Sequence, residues 1–198
     1  MHLVHSMEEF GASEFGKGGC VAALGTFDGV HIGHARLMGE AVRLAREFDV
    51  PSAALTFDRH PLSLIRPSAV PMALTTPEEK RQRLAALGLD ALIEHPFTHE
   101  FAALSPTEFF DLLCTHLRPR ALVVGFNYTF GRKGAGDAGL LEWLCRQKGI
   151  VCRVMEPVCV DGRPVSSSRI RALLQSGAEA EAHALLSHSD TPRCKNLK

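Results

Sequence analysis

Five short, largely apolar runs punctuate the chain, at residues 20–24, 52–57, 91–95, 121–125 and 150–155. Strands buried on both faces of a parallel sheet read in this way, as near-continuous hydrophobic stretches rather than alternating ones. Amphipathic stretches lie between them. Leu37, Ala41, Leu44, Ala45 and Phe48 recur at the spacing of one helical face. Thr76-Pro77-Glu78-Glu79 is a capping box with proline at the first helical position; it predicts a helix to about Leu87, stopped by Gly88. Ser105-Pro106-Thr107-Glu108 repeats that chemistry and predicts a helix through about His116. Further helices are predicted over 138–147, from the serines at 166–168 to Gln175, and more weakly over 178–186. Alternation of strand and helix predicts an α/β fold. The expected form is a Rossmann-like open parallel sheet with helices on both faces and right-handed crossovers.

The stretch 58–75, polar and marked by Pro61, Pro67 and Pro71, is expected to be a substrate loop rather than a linker. Residues 132–136 are expected to be a flexible basic loop. One domain over 1–186 is expected, followed by a disordered polar tail over 187–198.

Composition adds limits. Of 198 residues, 45% are hydrophobic and 22% charged, the balance of an ordinary globular chain. The formal net charge is +0, so long-range attraction to nucleic acid or to an anionic membrane has no support. No apolar stretch has the length of a membrane span and the first residues lack signal-peptide character, which leads to an expectation of a cytoplasmic protein with no membrane or nucleic-acid partner and no evident protein partner. The six cysteines are irregularly spaced and no disulfide framework is expected in a chain of this class; none falls within the segments singled out below, so no catalytic thiol is expected.

Chemistry concentrates in Gly25-Thr26-Phe27-Asp28-Gly29-Val30-His31-Ile32-Gly33-His34, directly after the first apolar run. A strand ends there, turns through small residues, and opens a helix near Ile32. A helix N-terminus in this position carries unpaired N–H groups and positive dipole charge, a natural seat for phosphate. His31 and His34, three apart, project from one side of the first turn and can donate to phosphoryl oxygens as charge builds there. The bland alternative is a pair of satisfied histidines at a helix cap. The loop lacks the Gly-Lys-Ser/Thr ending of an NTPase phosphate loop and the three-glycine dinucleotide fingerprint. Zinc is rejected: Cys-x-x-Cys and His-Glu-x-x-His are both missing.

This segment resembles the adenylyltransferase signature of prokaryotic FAD synthetases, members of the HxGH nucleotidyltransferase superfamily. Three further segments extend the resemblance in order: Leu55-Thr56-Phe57-Asp58-Arg59-His60-Pro61, Val123-Val124-Gly125-Phe126-Asn127-Tyr128-Thr129-Phe130-Gly131, and Val165-Ser166-Ser167-Ser168-Arg169-Ile170-Arg171. The resemblance implies transfer of AMP from ATP to FMN, with Mg²⁺ bound through the ATP phosphates. His31, His34 and Arg171 are then the expected catalytic residues. Gly25, Phe27, Asp28, Gly33, His34, Asn127, Ser167, Ser168 and Arg171 are expected around ATP. Phe57, His60, Pro61, Phe126, Asn127, Tyr128 and Phe130 are expected around FMN, with at least one of the last three aromatics in the core. No dedicated metal ligands are expected. The glycines are expected to let backbone approach the nucleotide. Asp28 is read evenly as a loop or metal-assisting group or as an Asx turn; Arg169 is expected at the surface, and Arg163 either near phosphate or as a hairpin charge.

Two departures qualify the resemblance. Arg59 stands where the family commonly has proline, and the family's usual enzyme continues into a riboflavin kinase barrel for which no residues remain after Gln175, so no kinase activity is expected. The competing readings are transfer to another phosphate acceptor and a non-catalytic flavin- or nucleotide-binding module.

Overall fold

The structure is a computed structural model that describes residues 1–186; the expected tail at 187–198 lies outside the described residues. Strands β1 (His2–Val4), β2 (Cys20–Leu24), β3 (Ser52–Phe57), β4 (Ala91–His95), β5 (Pro119–Gly125), and β8 (Val151–Met155) form one sheet. Two short ribbons complete the strand count among the described residues: β6 (Thr129–Phe130) with β7 (Gly136–Asp137), and β9 (Cys159–Val160) with β10 (Arg163–Pro164). The helices are α1 (Met7–Ala12), α2 (Ile32–Phe48), α3 (Pro61–Ile65), α4 (Pro77–Ala86), α5 (His99–Ala103), α6 (Pro106–Leu117), α7 (Ala138–Gln147), α8 (Ser167–Gln175), and α9 (Glu179–Leu186).

The six strands run in the order β1-β4-β3-β2-β5-β8, every pair parallel. Each of the five predicted strands is present, and the Thr76 and Ser105 capping boxes close with both reciprocal hydrogen bonds. Successive residues of β2 point to opposite faces, and both faces are covered. Cys20, Ala22 and Leu24 join Met7, Phe10, Phe110, Leu113 and Leu141 in one core layer, beneath α1, α6 and α7. Val21 and Ala23 join Leu37, Met38, Ala41, Leu44 and Leu84 in the other, beneath α2 and α4. A third cluster (Ile32, Val158, Val165, Ile170, Ala182, Leu185) seats α8 and α9 against the start of α2. That cluster brings the C-terminal helix pair to the end of the sheet where β2 opens into its loop.

Strand β1 and helix α1 lie where no element is expected, and the expected loop at 58–75 contains α3 and a 3-10 turn at Pro67–Ala69. The basic loop at 132–136 is likewise a 3-10 turn feeding β7, with Asp137 capping α7. Cys20, Cys114, Cys145 and Cys152 are free thiols, whereas Cys159 is disulfide-bonded, one bridged position in a chain expected to lack a disulfide framework.

Candidate active site

The chain fills the sheet outward from β2 in one direction through β3 and β4, then returns to the other side of β2 for β5 and β8. Ligands in open α/β sheets bind at such a reversal, in the crevice beyond the carboxyl ends of the strands. Here that crevice is flanked by the loop after β2 (residues 25–31) and the loop after β5 (residues 126–128).

The loop after β2 is held in unusual backbone. Phe27 (φ 50) and Val30 (φ 44) both lie in the left-handed region, which a β-branched residue enters only under constraint. Burial supplies the constraint, for Phe27 and Val30 are almost fully enclosed in the α2-side core. At two of the glycines the protein's own side chains lie where a Cβ would stand. A Cβ at Gly25 would come within 2.7 Å of the Phe27 ring, and one at Gly33 within 3.0 Å of the His31 ring. Gly33 is therefore what allows His31 to fold back over the first turn.

His31 is the N-cap of α2, its Nδ1 accepting the His34 backbone N–H at 3.3 Å. That bond leaves the ring proton on Nε2, the outer nitrogen. The His31 and His34 rings stack, centroids 3.7 Å apart and planes 13° from parallel, and Phe27 meets His34 edge-on at 5.3 Å. Burial, and secondarily the neighbouring His31, hold the His34 pKa well below the ordinary histidine value. His34 is thus neutral at pH 7. Its Nδ1 is the single buried side-chain polar atom without a partner among the described residues. An orphaned acceptor is better tolerated than an orphaned N–H, so His34 also carries its proton on Nε2.

Asp28 ties three segments together. Its carboxylate accepts the Leu74 backbone N–H (3.1 and 3.3 Å) and pairs with the Arg171 guanidinium, while its carbonyl accepts the Ser167 hydroxyl at 3.0 Å. Arg171 Nε also donates to the Met72 carbonyl at 2.7 Å. Arg83 reaches the Gly29 carbonyl at 3.0 Å. Of the two readings of Asp28, the loop-holding one describes these contacts. The helix start at Ser166–Arg171 is thereby pressed against the histidine-bearing loop, although the two are separated by more than a hundred residues. Ser168 is exposed beside them. Arg169 is not a simple surface charge; it donates to the Val160 and Arg163 carbonyls (3.1 and 2.9 Å) and clasps the β9–β10 hairpin. Arg163 belongs to that hairpin.

On the β3 side, His60 caps α3, its Nδ1 accepting the Leu62 N–H at 3.2 Å, with Pro61 as the first helical residue. Burial lowers the His60 pKa, as do the positive charges of Arg171 and Lys80, against the opposing pull of Asp28. Lys80 was not picked out from the sequence. Its ammonium donates to Thr56 Oγ1 (3.2 Å) and the Phe57 carbonyl (3.3 Å) at the carboxyl end of β3, and burial depresses its pKa. Next to it, Arg81 grips the Glu94 carboxylate at 2.6–3.1 Å. Glu94 was a readable signal: an acid only 5% exposed in an apolar strand requires a cationic partner. Arg59 pairs with Asp58 at 3.1 Å at the surface, while Asp58 also accepts the Phe97 N–H at 3.0 Å.

The aromatic candidates divide. Phe57 packs edge-on against Phe97 and Phe101, centroids 5.0 and 5.6 Å away. Phe130 is core, and Tyr128 stacks on it at 5.8 Å, burial pushing the phenol pKa up. Phe126 is 50% exposed and Asn127 is exposed beside it, both just past β5. Ile65, Val70 and Met72 are likewise exposed, on the segment that overlies the site.

Residues 14–169 match the FAD synthetase family. The bifunctional riboflavin kinase/FMN adenylyltransferase of Bacillus subtilis (strain 168) is 36% identical over 168 residues, covering 84% of this chain and 52% of that protein. The chain thus spans about half the length of this bifunctional relative. A protein named FAD synthetase from Listeria monocytogenes serovar 1/2a is 33% identical over 169 residues, covering 85% of this chain and 68% of that one. Among solved structures, one described as a macrolide-efflux protein from Streptococcus pneumoniae superposes with TM-score 0.76 at 26% identity, over 93% of this chain and 59% of that chain. No helix among the described residues is long and apolar enough to cross a membrane. With the two histidines, the Asn127 segment and the Ser167–Arg171 helix start gathered at one end of a parallel sheet, and with four-fifths of its length matched, the chain belongs to the FAD synthetase family of FMN adenylyltransferases.

Proposed function

We propose that this chain transfers the AMP moiety of ATP to FMN, yielding FAD and pyrophosphate. An FMN phosphate oxygen attacks the α-phosphorus of ATP; the new P–O–P linkage forms as the bond to the β-phosphate breaks, and pyrophosphate leaves with the electron pair. Phosphate is a competent nucleophile at neutral pH, so the protein's task is positioning and charge stabilisation. The stacked pair His31 and His34 carries this reading: two imidazoles in the first turn of a helix, proton on the outer nitrogen of each, above the reversal point of the sheet. Their N–H groups donate to the phosphoryl oxygens on which charge develops. Ser167, Ser168 and Arg171 serve the polyphosphate from the opposite wall, with Gly25, Phe27, Asp28 and Gly33 shaping the loop. Asn127 and Phe126 stand at the rim shared by adenine and flavin; Phe57, His60, Pro61 and Tyr128 are assigned to the flavin side.

The residues fit a divalent ion that arrives with ATP. Among the described residues no three His, Cys, Asp or Glu side chains gather to hold one alone, and Asp28, the carboxylate within the histidine loop, is already paired with Arg171. Mg²⁺ held by phosphate oxygens and water supplies charge neutralisation at the polyphosphate. Both substrates are water-soluble nucleotides, which suits a cytoplasmic enzyme.

Incubation with FMN, ATP and Mg²⁺, with chromatographic detection of FAD, tests the reading. FAD and pyrophosphate in equal amounts are expected. Other phosphate acceptors consumed in place of FMN, or nucleotide binding without turnover, would overturn it.

A further inference from the structure

We infer that Lys80 is a ligand for the phosphate of the flavin nucleotide, its ammonium standing at the carboxyl end of β3 on the side of the crevice away from β5. The inference rests on the FMN reading above and adds a cation that none of the four signature segments contains.

Lys80 lies on α4, yet its side chain reaches back to the sheet. An ammonium has three N–H donors; Thr56 Oγ1 and the Phe57 carbonyl accept two of them. Thr56 in turn donates its hydroxyl to the Thr26 carbonyl at 3.0 Å, so the lysine is tied through one side chain to the loop that carries the histidines. Its surroundings lack a counter-ion. No carboxylate among the described residues comes within 4.0 Å of Nζ. The three acids that act on it from further away, Glu94, Asp28 and Asp58, are each engaged by another partner: Glu94 by Arg81, Asp28 by Arg171 and the Leu74 N–H, Asp58 by Arg59 and the Phe97 N–H.

A largely enclosed ammonium with two neutral acceptors and no anion costs free energy to keep unless an anion comes to it. The proposed reaction brings one. FMN and ATP meet phosphate to phosphate, and the mutual repulsion of two anionic groups opposes the attack unless a cation stands near both. Arg171 and the histidines face the ATP side, from α8 and from the helix after β2. Lys80 stands one strand over, on Thr56 and the Phe57 carbonyl where β3 runs into the segment assigned to flavin, and its charge, like that of Arg171, is felt at His60.

The test compares FMN with riboflavin, which differs only in lacking the phosphate. Equilibrium binding of each is read by flavin fluorescence in the presence of Mg²⁺ and a non-hydrolysable ATP analogue, for wild type, Lys80→Met and Lys80→Arg, with thermal melting as a check on folding. Loss of one charged hydrogen bond corresponds to about tenfold or more in affinity. Lys80→Met is expected to weaken FMN by about that factor while leaving riboflavin within about twofold, and Lys80→Arg to retain most of the FMN preference because it keeps the charge. Equal weakening of both flavins, unchanged FMN affinity, or a wild type that does not prefer FMN to riboflavin would each overturn the assignment. If Lys80→Met does not fold, Lys80→Arg and Lys80→Gln carry the same comparison. A wild type that binds FMN in preference to riboflavin yet forms no FAD refutes the proposed reaction and leaves the lysine test intact.

Discussion

Replacing Asp28 should be among the more destabilising single changes at the site, and the structure fixes its size. The carboxylate serves two partners at once, the Leu74 N–H and the Arg171 guanidinium, and the two charged side chains are only 16% and 13% exposed. A hydrogen bond to a charged group contributes about 1.5–3 kcal/mol, and stranding one member of a fully buried ion pair costs about 3–5 kcal/mol. At this residual exposure the lower part of those ranges applies. Asp28→Ala, which strands both partners, is expected to cost about 3 kcal/mol. Asp28→Asn keeps an oxygen for the Leu74 N–H and loses only the ion pair, so about 1.5 kcal/mol is expected. At about 2–4 °C per kcal/mol for a chain of this size, the alanine variant melts about 6–12 °C lower. Urea unfolding in phosphate-free buffer is the assay. A double-mutant cycle between Asp28→Asn and Arg171→Gln should show coupling of about 1.5 kcal/mol between the two sites. A cost under about 0.5 kcal/mol for Asp28→Ala, or equal costs for the alanine and asparagine variants, would refute the view that this carboxylate fastens the 70–75 segment and α8 to the histidine-bearing loop.

His31→Ala and His34→Ala should each lower FAD formation about 10²–10³-fold, as loss of a transition-state donor does, and His31→Ala should also cost about 1 kcal/mol of stability as a lost helix cap, because His31 caps α2; near-normal turnover in both disproves the donor role. Arg171→Lys should reduce kcat/KM for ATP about tenfold, since a single ammonium cannot replace a planar fork already shared between Met72 and Asp28; steady-state kinetics with varied ATP checks it. His34, His60 and His95 all have pKa values lowered mainly by burial. The unfolded chain therefore takes up protons below about pH 6.5 that the native state does not, and stability should fall as pH drops from 6.5 toward the lower native values. Urea midpoints at pH 7.5 and 5.5 read this, and His95→Gln should flatten the dependence.

The parallel strands were legible because burial on both faces leaves a run such as Ala121-Leu122-Val123-Val124 with no polar interruption. Helix starts were legible because capping is local chemistry, written within four residues at Thr76 and Ser105. What escaped depends on partners far along the chain. The edge strand β1 has three residues, too few for any periodicity, and is specified by pairing with β4 some ninety residues later. The same holds within the site. His31 and His34 could be named because their spacing is local, whereas Lys80 reads in sequence as one more polar residue in Pro77-Glu78-Glu79-Lys80-Arg81. Only the packing of α4 over β3 reveals that its ammonium is enclosed. At the signature glycines the motif shows that a side chain is missing but not what lies in its place, which at Gly25 and Gly33 is the protein's own Phe27 and His31.

That substitution bears on how the site works. A flexible glycine loop that closed on its nucleotide would have to lose conformational entropy at each binding event. Here the loop is already fixed: Phe27 and Val30 are held in left-handed backbone by a closed core, Gly29 carries Arg83 on its carbonyl and Thr75 Oγ1 on its N–H, and Asp28 joins Leu74 to Arg171. Left-handed backbone at two non-glycine residues is unfavourable by itself, and persists because the surrounding packing over-determines it. The cost is therefore met on folding, and the His31 and His34 rings, the donors of the proposed reaction, are set before any substrate arrives. For the proposed reaction, a displacement at phosphorus, donors set in advance at developing charge are the main contribution a protein can make.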